Sequence, residues 1–221
     1  MMFKLDVNYL DYLTKTAQKF KKIEDPLKEL SKLGLQSSCT VIVSSGKNQW
    51  SGSGFHIGDG NIITASHVVP LDAQISQIKV TFDNQNFFDA EIVKSEPQYD
   101  AAVLYCDEAK RMIPALQLGN SDSLEVGDLV VVVSAPEGFH DTVTFGRVSN
   151  IHQSVQDYNS PAWQDIIFID ADILEGSSGG MVLGTDGLVY GIVIGITGHH
   201  AEMGLGEQSV CPSNKIKMLF K

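Results

Sequence analysis

From Cys39 onward the chain is a succession of short β-branched runs with turn residues between them, and this texture restricts the fold more than any other feature. The runs include Thr40-Val41-Ile42-Val43, Ile78-Lys79-Val80-Thr81-Phe82, Leu129 to Val133, Ile166 to Ile169 and Leu188 to Ile196. Strands at such regular spacing predict barrels or a sandwich. Before this point the period is different. In residues 5–33, Leu10, Leu13, Ala17, Phe20, Leu27, Leu30 and Leu33 recur at spacings of three and four with lysines and acids between them, which predicts helix. Pro26 is expected to break it into two helices, with Asp25 near the second N-cap and Gly34 as the C-cap. The expected division is a helical segment over 1–36 and a β domain over 37–221, whose halves meet near Ser121 to Asp128.

Length alone admits one large β domain or two small barrels, and an apolar fraction of 43% supplies a core. Net charge is −11, unevenly spread. Residues 1–35 hold seven lysines against five acids, a surplus of two, which leaves about −13 on the rest. So acidic a body argues against nucleic acid as a partner and weakly favours basic peptides by steering. Cys39, Cys106 and Cys211 are far apart, odd in number and without metal-binding spacing, so no metal or other cofactor is expected. They point to a reducing compartment. Asp6, Asp11 and Lys15 interrupt any secretory h-region, which predicts a cytoplasmic chain or one exported without a cleavable signal. No run approaches the roughly 18 apolar residues of a membrane span. The helical segment is read as packing on the β domain, or as an oligomerisation or target-docking element. Its mixed charges disfavour a membrane-surface role.

The chemistry is concentrated at Gly176-Ser177-Ser178-Gly179-Gly180. A serine hydroxyl is a poor nucleophile until a histidine takes its proton, a carboxylate orients that histidine and N–H groups receive the oxyanion. His67 in Ile62-Ile63-Thr64-Ala65-Ser66-His67-Val68-Val69 and Asp100 in Tyr99-Asp100-Ala101-Ala102-Val103-Leu104 are the candidate partners. An isolated histidine in an apolar stretch is commonly a core side chain, and Asp100 also fits a turn after Pro97. The same glycines satisfy G-x-S-x-G, but a Ser-Asp-His order would need Asp186 with His199 or His200 in a tail that reads as strands, not as the helix an elbow requires. His199-His200 with Glu202 reads as a surface loop, since adjacent strand residues face opposite ways and cannot share a metal.

Five segments in register resemble the protease domain of the HtrA/Deg group of trypsin-like serine peptidases. They are Gly52-Ser53-Gly54-Phe55-His56-Ile57-Gly58-Asp59-Gly60 through Val69, Tyr99 to Leu104, Leu118-Gly119-Asn120-Ser121-Asp122 through Asp128, Pro136-Glu137-Gly138 with Thr142 to Ser149, and Asp170-Ala171-Asp172-Ile173 through Gly180. The likeness covers roughly 180 residues from Cys39. It departs from the family where Leu174-Glu175-Gly176-Ser177 replaces Asn-Pro-Gly-Asn, which bears on the pocket rim. The family's PDZ domain is not expected after Cys211-Pro212-Ser213-Asn214.

The resemblance implies an all-β, chymotrypsin-like fold of two six-stranded antiparallel barrels, about 37–120 and 121–221, preceded by the helix. It implies a serine endopeptidase acting on protein or peptide through an acyl-enzyme. His67 is then the general base, Asp100 its orienting acid and Ser178 the nucleophile, with the N–H groups of Gly176 and Ser178 forming the oxyanion hole. Asp172, six residues before Ser178, stands at trypsin's acidic pocket offset, whereas Ile173, Ile194 and Ile196 suit an apolar pocket, which is preferred. The strand around Gly195 is expected to pair with substrate. Ser177 occupies the place where digestive relatives use an aspartate to hold a newly cut N-terminus, so activation by that cleavage is not expected. HtrA-like proteins are often trimers. The competing reading is a non-catalytic binding module on the same fold.

Overall fold

The computed structural model describes residues 7–136, 142–155, 163–200 and 205–221. Six strands form the first closed antiparallel barrel: β1 (Ser38–Ser45), β2 (Asn48–Gly58), β3 (Asn61–Thr64), β4 (Gln77–Thr81), β5 (Phe88–Glu96) and β6 (Ala101–Tyr105), in spatial order 1-2-3-6-5-4. Closure is direct, because β1 pairs with β2 along one edge and with β4 from Thr40–Thr81 to Ser44–Gln77 along the other. The second closed barrel comprises β7 (Leu129–Ser134), β8 (Thr142–Val155), β9 (Trp163–Ile169), β10 (Met181–Gly184), β11 (Val189–His200) and β12 (Leu205–Pro212), in order 10-11-12-9-8-7. Of the two architectures that the strand texture allowed, barrels are the one formed. Short helices α2 (Asp107–Met112) and α3 (Ser213–Ile216) follow β6 and β12.

Period-2 alternation explains the continuous apolar runs. Ile62, Ala102 and Leu104 fill the first barrel with Val41, Val43 and Val80. Their neighbours Ile63, Ala101 and Val103 face the other way, into a cluster shared with Phe55, Val131, Val133, Met181, Leu183 and Ile192. Val130 and Val132 return to the interior of the second barrel with Val182, Val193 and Val210. Strands bordering the seam between barrels are thus buried on both faces. The connection across the seam is stitched to β11 by Gly119 N–H on Val189 O and Val189 N–H on Gln117 O, each 2.8 Å.

The N-terminal segment differs from expectation: α1 is one helix, Val7–Ser37, that passes through both Pro26 and Gly34 and enters β1 without a loop. A proline inside a helix costs about 3 kcal/mol, and packing of the last turns offsets it. Leu27, Leu30 and Leu35 lie against the seam cluster, while Pro26 itself is exposed. Gly34 is a close-approach residue and not a cap, because a Cβ there would stand 2.7 Å from Val133 Cγ2 and 3.0 Å from Leu183 Cδ1. The period-3.6 stripe therefore marks a contact on β7 and β10 that secures the helix against its own breakers.

Candidate active site

Residues from both barrels meet at the seam. β3 ends at Thr64, and a single 3₁₀ turn, Ser66–Val68, carries His67. Asp100 stands on a turn closed by its N–H on Pro97 O (3.2 Å) and by Tyr99 N–H on Glu96 O (3.1 Å). Its φ of +52° is a left-handed conformation that aspartate tolerates better than most residues. Asp100 is only 4% exposed, and three donors satisfy its carboxylate: His67 Nδ1–H (2.7 Å), His67 backbone N–H (3.0 Å) and Ser66 Oγ–H (2.9 Å). With the proton held on Nδ1, Nε2 keeps its lone pair. The imidazole is half exposed, its side chain at 47%.

The serine loop approaches from the other barrel. Ser177 N–H donates to Leu174 O at 3.0 Å, closing a turn whose third residue is Gly176 at φ +86°, a value that strongly favours glycine. Gly179, at φ +85°, lies so close to β2 that a Cβ would fall 2.1 Å from Ser53 O and 2.5 Å from Thr64 Oγ1. That contact sets Ser178 against the end of β3, next to the turn of His67. Ser178 O accepts from Ser53 N–H at 2.7 Å, and a Cβ at Gly52, one residue earlier, would fall 2.6 Å from Val68 Cγ2 and 3.1 Å from Ser178 O. Ser178 is half-buried, and among the described residues its hydroxyl bonds neither His67 nor any other group.

The loop's remaining backbone groups divide cleanly. Gly179 N–H goes to Val193 O and Gly180 N–H to Ser177 O, both at 2.8 Å. Ser53 Oγ–H covers Gly176 O at 2.8 Å. Between Gly176 and Gly180, only the N–H groups of Gly176 and Ser178 have no acceptor among the described residues. An unspent pair of N–H donors beside a serine is an anion-receiving concavity.

The expected substrate-contacting residues are dispersed. Asp172 is exposed and forms no ion pair among the described residues. Ile173 and Ile196 belong to the cluster of the second barrel, whereas Ile194, 2% exposed, belongs to the seam. Gly195 sits at a register shift in β11, where, among the described residues, the strand pairs with β12 alone. Glu202 and the side chains of His199 and His200 lie outside the described residues. Among those described, no group of three or more His, Cys, Asp or Glu is placed to hold a metal. His56 shows the ordinary fate of a histidine in an apolar strand: it is buried, with Nε2 accepting from Gly60 N–H at 3.1 Å.

Three residues that support the site were not singled out from the sequence. Ser66 is a donor to Asp100, Ser53 is the hydrogen-bond partner of the serine loop, and Trp50 Nε1–H donates to Val68 O at 2.8 Å, bracing the turn of His67. No residue-type signal marks them: Trp50 and Ser53 act on backbone groups, and Ser66 acts on a carboxylate 34 residues away in sequence.

Comparison with known proteins fits this geometry. Residues 52–192 match the trypsin-like peptidase domain family. The chain belongs to that family. Its relatives there are serine endoproteases of the HtrA/DegP kind. It is 34% identical over 161 residues to periplasmic serine endoprotease DegP of Salmonella typhimurium, covering 72% of this chain and 32% of that protein. It is 35% identical over 147 residues to the chloroplastic Protease Do-like 1 of Arabidopsis thaliana, covering 65% of this chain and 33% of that one. The chain thus spans about a third of the length of the curated relatives it matches. Among solved structures it resembles the HtrA-type protease AlgW with a tripeptide, at TM-score 0.74 and 26% identity over 86% of this chain and 61% of that one. It also resembles the M. tuberculosis protease Rv3671c in its active form, at 0.73 and 25% over 86% and 82%.

Proposed function

We propose that the domain is a serine endopeptidase that cleaves protein or peptide substrates through an acyl-enzyme on Ser178. In this reading His67 Nε2 takes the Ser178 proton as Oγ attacks the scissile carbonyl, and the N–H groups of Gly176 and Ser178 receive the oxyanion. The imidazolium then protonates the leaving amine, and a water attacks the acyl-enzyme by the same route in reverse. Asp100 holds the productive tautomer and stabilises the imidazolium. The observation that carries the reading is the buried Asp100–His67 bond of 2.7 Å in the same molecule as an unspent pair of loop N–H groups.

Substrate is read as an extended strand added to the edge of β11 opposite β12 at Gly195 and Ile196. Exposed Asp172 and the apolar packing of Ile173 and Ile196 support small or medium apolar residues before the scissile bond over Lys or Arg. Export fits the relatives named as periplasmic better than the cytoplasmic location expected from the cysteines. No helix among the described residues is long and apolar enough to cross a membrane. Assembly or target docking is assigned to the part of α1 before Pro26, where Lys15, Gln18, Lys19, Lys21 and Lys22 are exposed. An unchanged oligomeric state by light scattering without residues 1–22 would remove the assembly role.

A fluorophosphonate probe tests the catalytic reading. Wild type is expected to label, and Ser178→Ala and His67→Ala are expected not to, with Val-containing fluorogenic peptides cleaved in preference to Arg-containing ones. Folded wild type that fails to label would instead favour the binding-module reading.

A further inference from the structure

Ser53 is fully buried on β2 of the first barrel, and every polar group it owns is engaged. Its N–H donates to Ser178 O (2.7 Å) and its carbonyl accepts from Thr64 Oγ1–H (2.7 Å). Its hydroxyl accepts from Ala135 N–H and donates to Gly176 O, both at 2.8 Å. One residue of the first barrel therefore ties down the carbonyls of Gly176 and Ser178, the two residues whose N–H groups stay unspent.

These bonds fix orientation as well as position. Peptide units are rigid planes, and the Gly176–Ser177 unit is pinned at both ends, its carbonyl on Ser53 Oγ and its N–H on Leu174 O. Rotation of that unit would change the dihedrals of Gly176, whose freedom at φ +86° offers little intrinsic resistance. The hydroxyl of Ser53 supplies the resistance. Beside it, Ser177 Oγ accepts from Leu174 N–H (3.2 Å) and from Ser134 Oγ–H (3.3 Å). Ser177 is 1% exposed, so the loop is bound from beneath by buried hydroxyls, with no carboxylate at that position to pair with a cut N-terminus.

We propose that Ser53 is a positioning residue whose buried hydroxyl, relaying Ala135 N–H to Gly176 O across the seam, holds the oxyanion loop in working order without proteolytic processing. The proposal rests on the catalytic reading above, since it concerns the N–H groups assigned to the oxyanion. Ser53 does not touch the reacting atoms. Its loss acts on the transition state through Gly176 and leaves the Asp100–His67 pair unchanged.

The test uses the full chain as wild type, Ser53→Ala and Ser53→Cys, the last keeping a weak donor on a somewhat larger side chain. Four quantities are read: kcat, KM, the acid limb of the pH–rate profile, and affinity for a peptide aldehyde against the matching peptide alcohol. Ser178 Oγ adds to the aldehyde carbon as its hydroxyl proton passes to His67 Nε2, and the C=O π pair moves onto oxygen as a hemiacetal oxyanion, while the alcohol binds without one. Ser53→Ala is expected to lower kcat by tenfold to a hundredfold, on the order of a misplaced oxyanion donor. KM and alcohol affinity should stay within about twofold, aldehyde affinity should fall with kcat, and the acid limb should not move. Ser53→Cys should fall between the two, and it carries the test if Ser53→Ala does not fold. Wild-type kcat in the folded variant, or equal losses for aldehyde and alcohol, would overturn the role of Ser53 while leaving the peptidase reading intact. Folded wild type that fails to react with fluorophosphonate would overturn both.

Discussion

The two halves of the site are held by different means. In the first barrel Asp100 and His67, the proposed acid and base, are held locally: a buried carboxylate with three donors, all from residues 66 and 67. In the second barrel the serine loop is secured by main-chain bonds, glycine geometry and buried hydroxyls, and its tightest contact belongs to the other barrel. The first arrangement is local, so it survives small movements of the barrels. The second is a product of the seam and is only as good as the packing of Phe55, Val133 and Met181 beneath it.

Replacing the carboxylate should give the largest effect on this contrast. In Asp100→Asn the carboxamide offers an N–H₂ where the imidazole N–H needs an acceptor, which favours the wrong tautomer. The expected loss in kcat is about 10⁴-fold. Ser66→Ala removes one donor of three and should cost about tenfold or less, with KM unchanged in both cases. Peptide kinetics on the two variants would show whether the carboxylate or its support dominates. An Asn variant within tenfold of wild type would mean that His67 is oriented by something other than Asp100.

The second prediction probes the backbone half. Gly179 and Gly127 both lie in the second barrel's part of the chain with positive φ, +85° and +100°. They differ in surroundings, since a Cβ at Gly127 meets nothing within 4 Å while one at Gly179 falls 2.1 Å from Ser53 O. Gly127→Ala therefore incurs conformational strain alone, about 1 kcal/mol. Gly179→Ala must also push the serine loop off β2, and about 3 kcal/mol or more of stability should be lost. Urea denaturation of the two variants separates strain from collision. Equal losses would mean that the loop rides loosely on the first barrel, against the contact on which the seam argument rests.

This contrast also explains what the sequence made legible. The strand runs and the turn glycines announced a β domain because a pattern of period 2 is written in consecutive residues. His67, Asp100 and the glycine-flanked serine stood out as candidates by residue type and by resemblance. The continuous helix was not legible, because whether Pro26 and Gly34 interrupt α1 depends on Val133 and Leu183, a hundred and more residues away. Ser53 was present in a quoted motif with no reason to separate it from its glycine neighbours. Its hydroxyl acquires a purpose only when Ala135 and Gly176 arrive from the second barrel.

The smallest effect expected is one on which the barrels should agree. Cys39 lies in the core of the first barrel and Cys211 in the seam, both buried and without a disulfide. Burial pushes the Cys211 thiol up to about 12 and raises that of Cys39 as well. A thiol in the unfolded chain ionises near 8.5. Above that pH the unfolded state has released a proton that the folded state still holds, so stability falls as pH rises and the loss continues toward the folded value. Each buried thiol contributes a slope of at most about 1.4 kcal/mol per pH unit. Below pH 8 the term vanishes. Cys39→Ala and Cys211→Ala should therefore each flatten the decline in stability between pH 8.5 and 10 by a similar amount, read by urea midpoints at fixed ionic strength. A variant that left the slope unchanged would identify a thiol reached by solvent in the native state, and would show that the barrel containing it opens without the other.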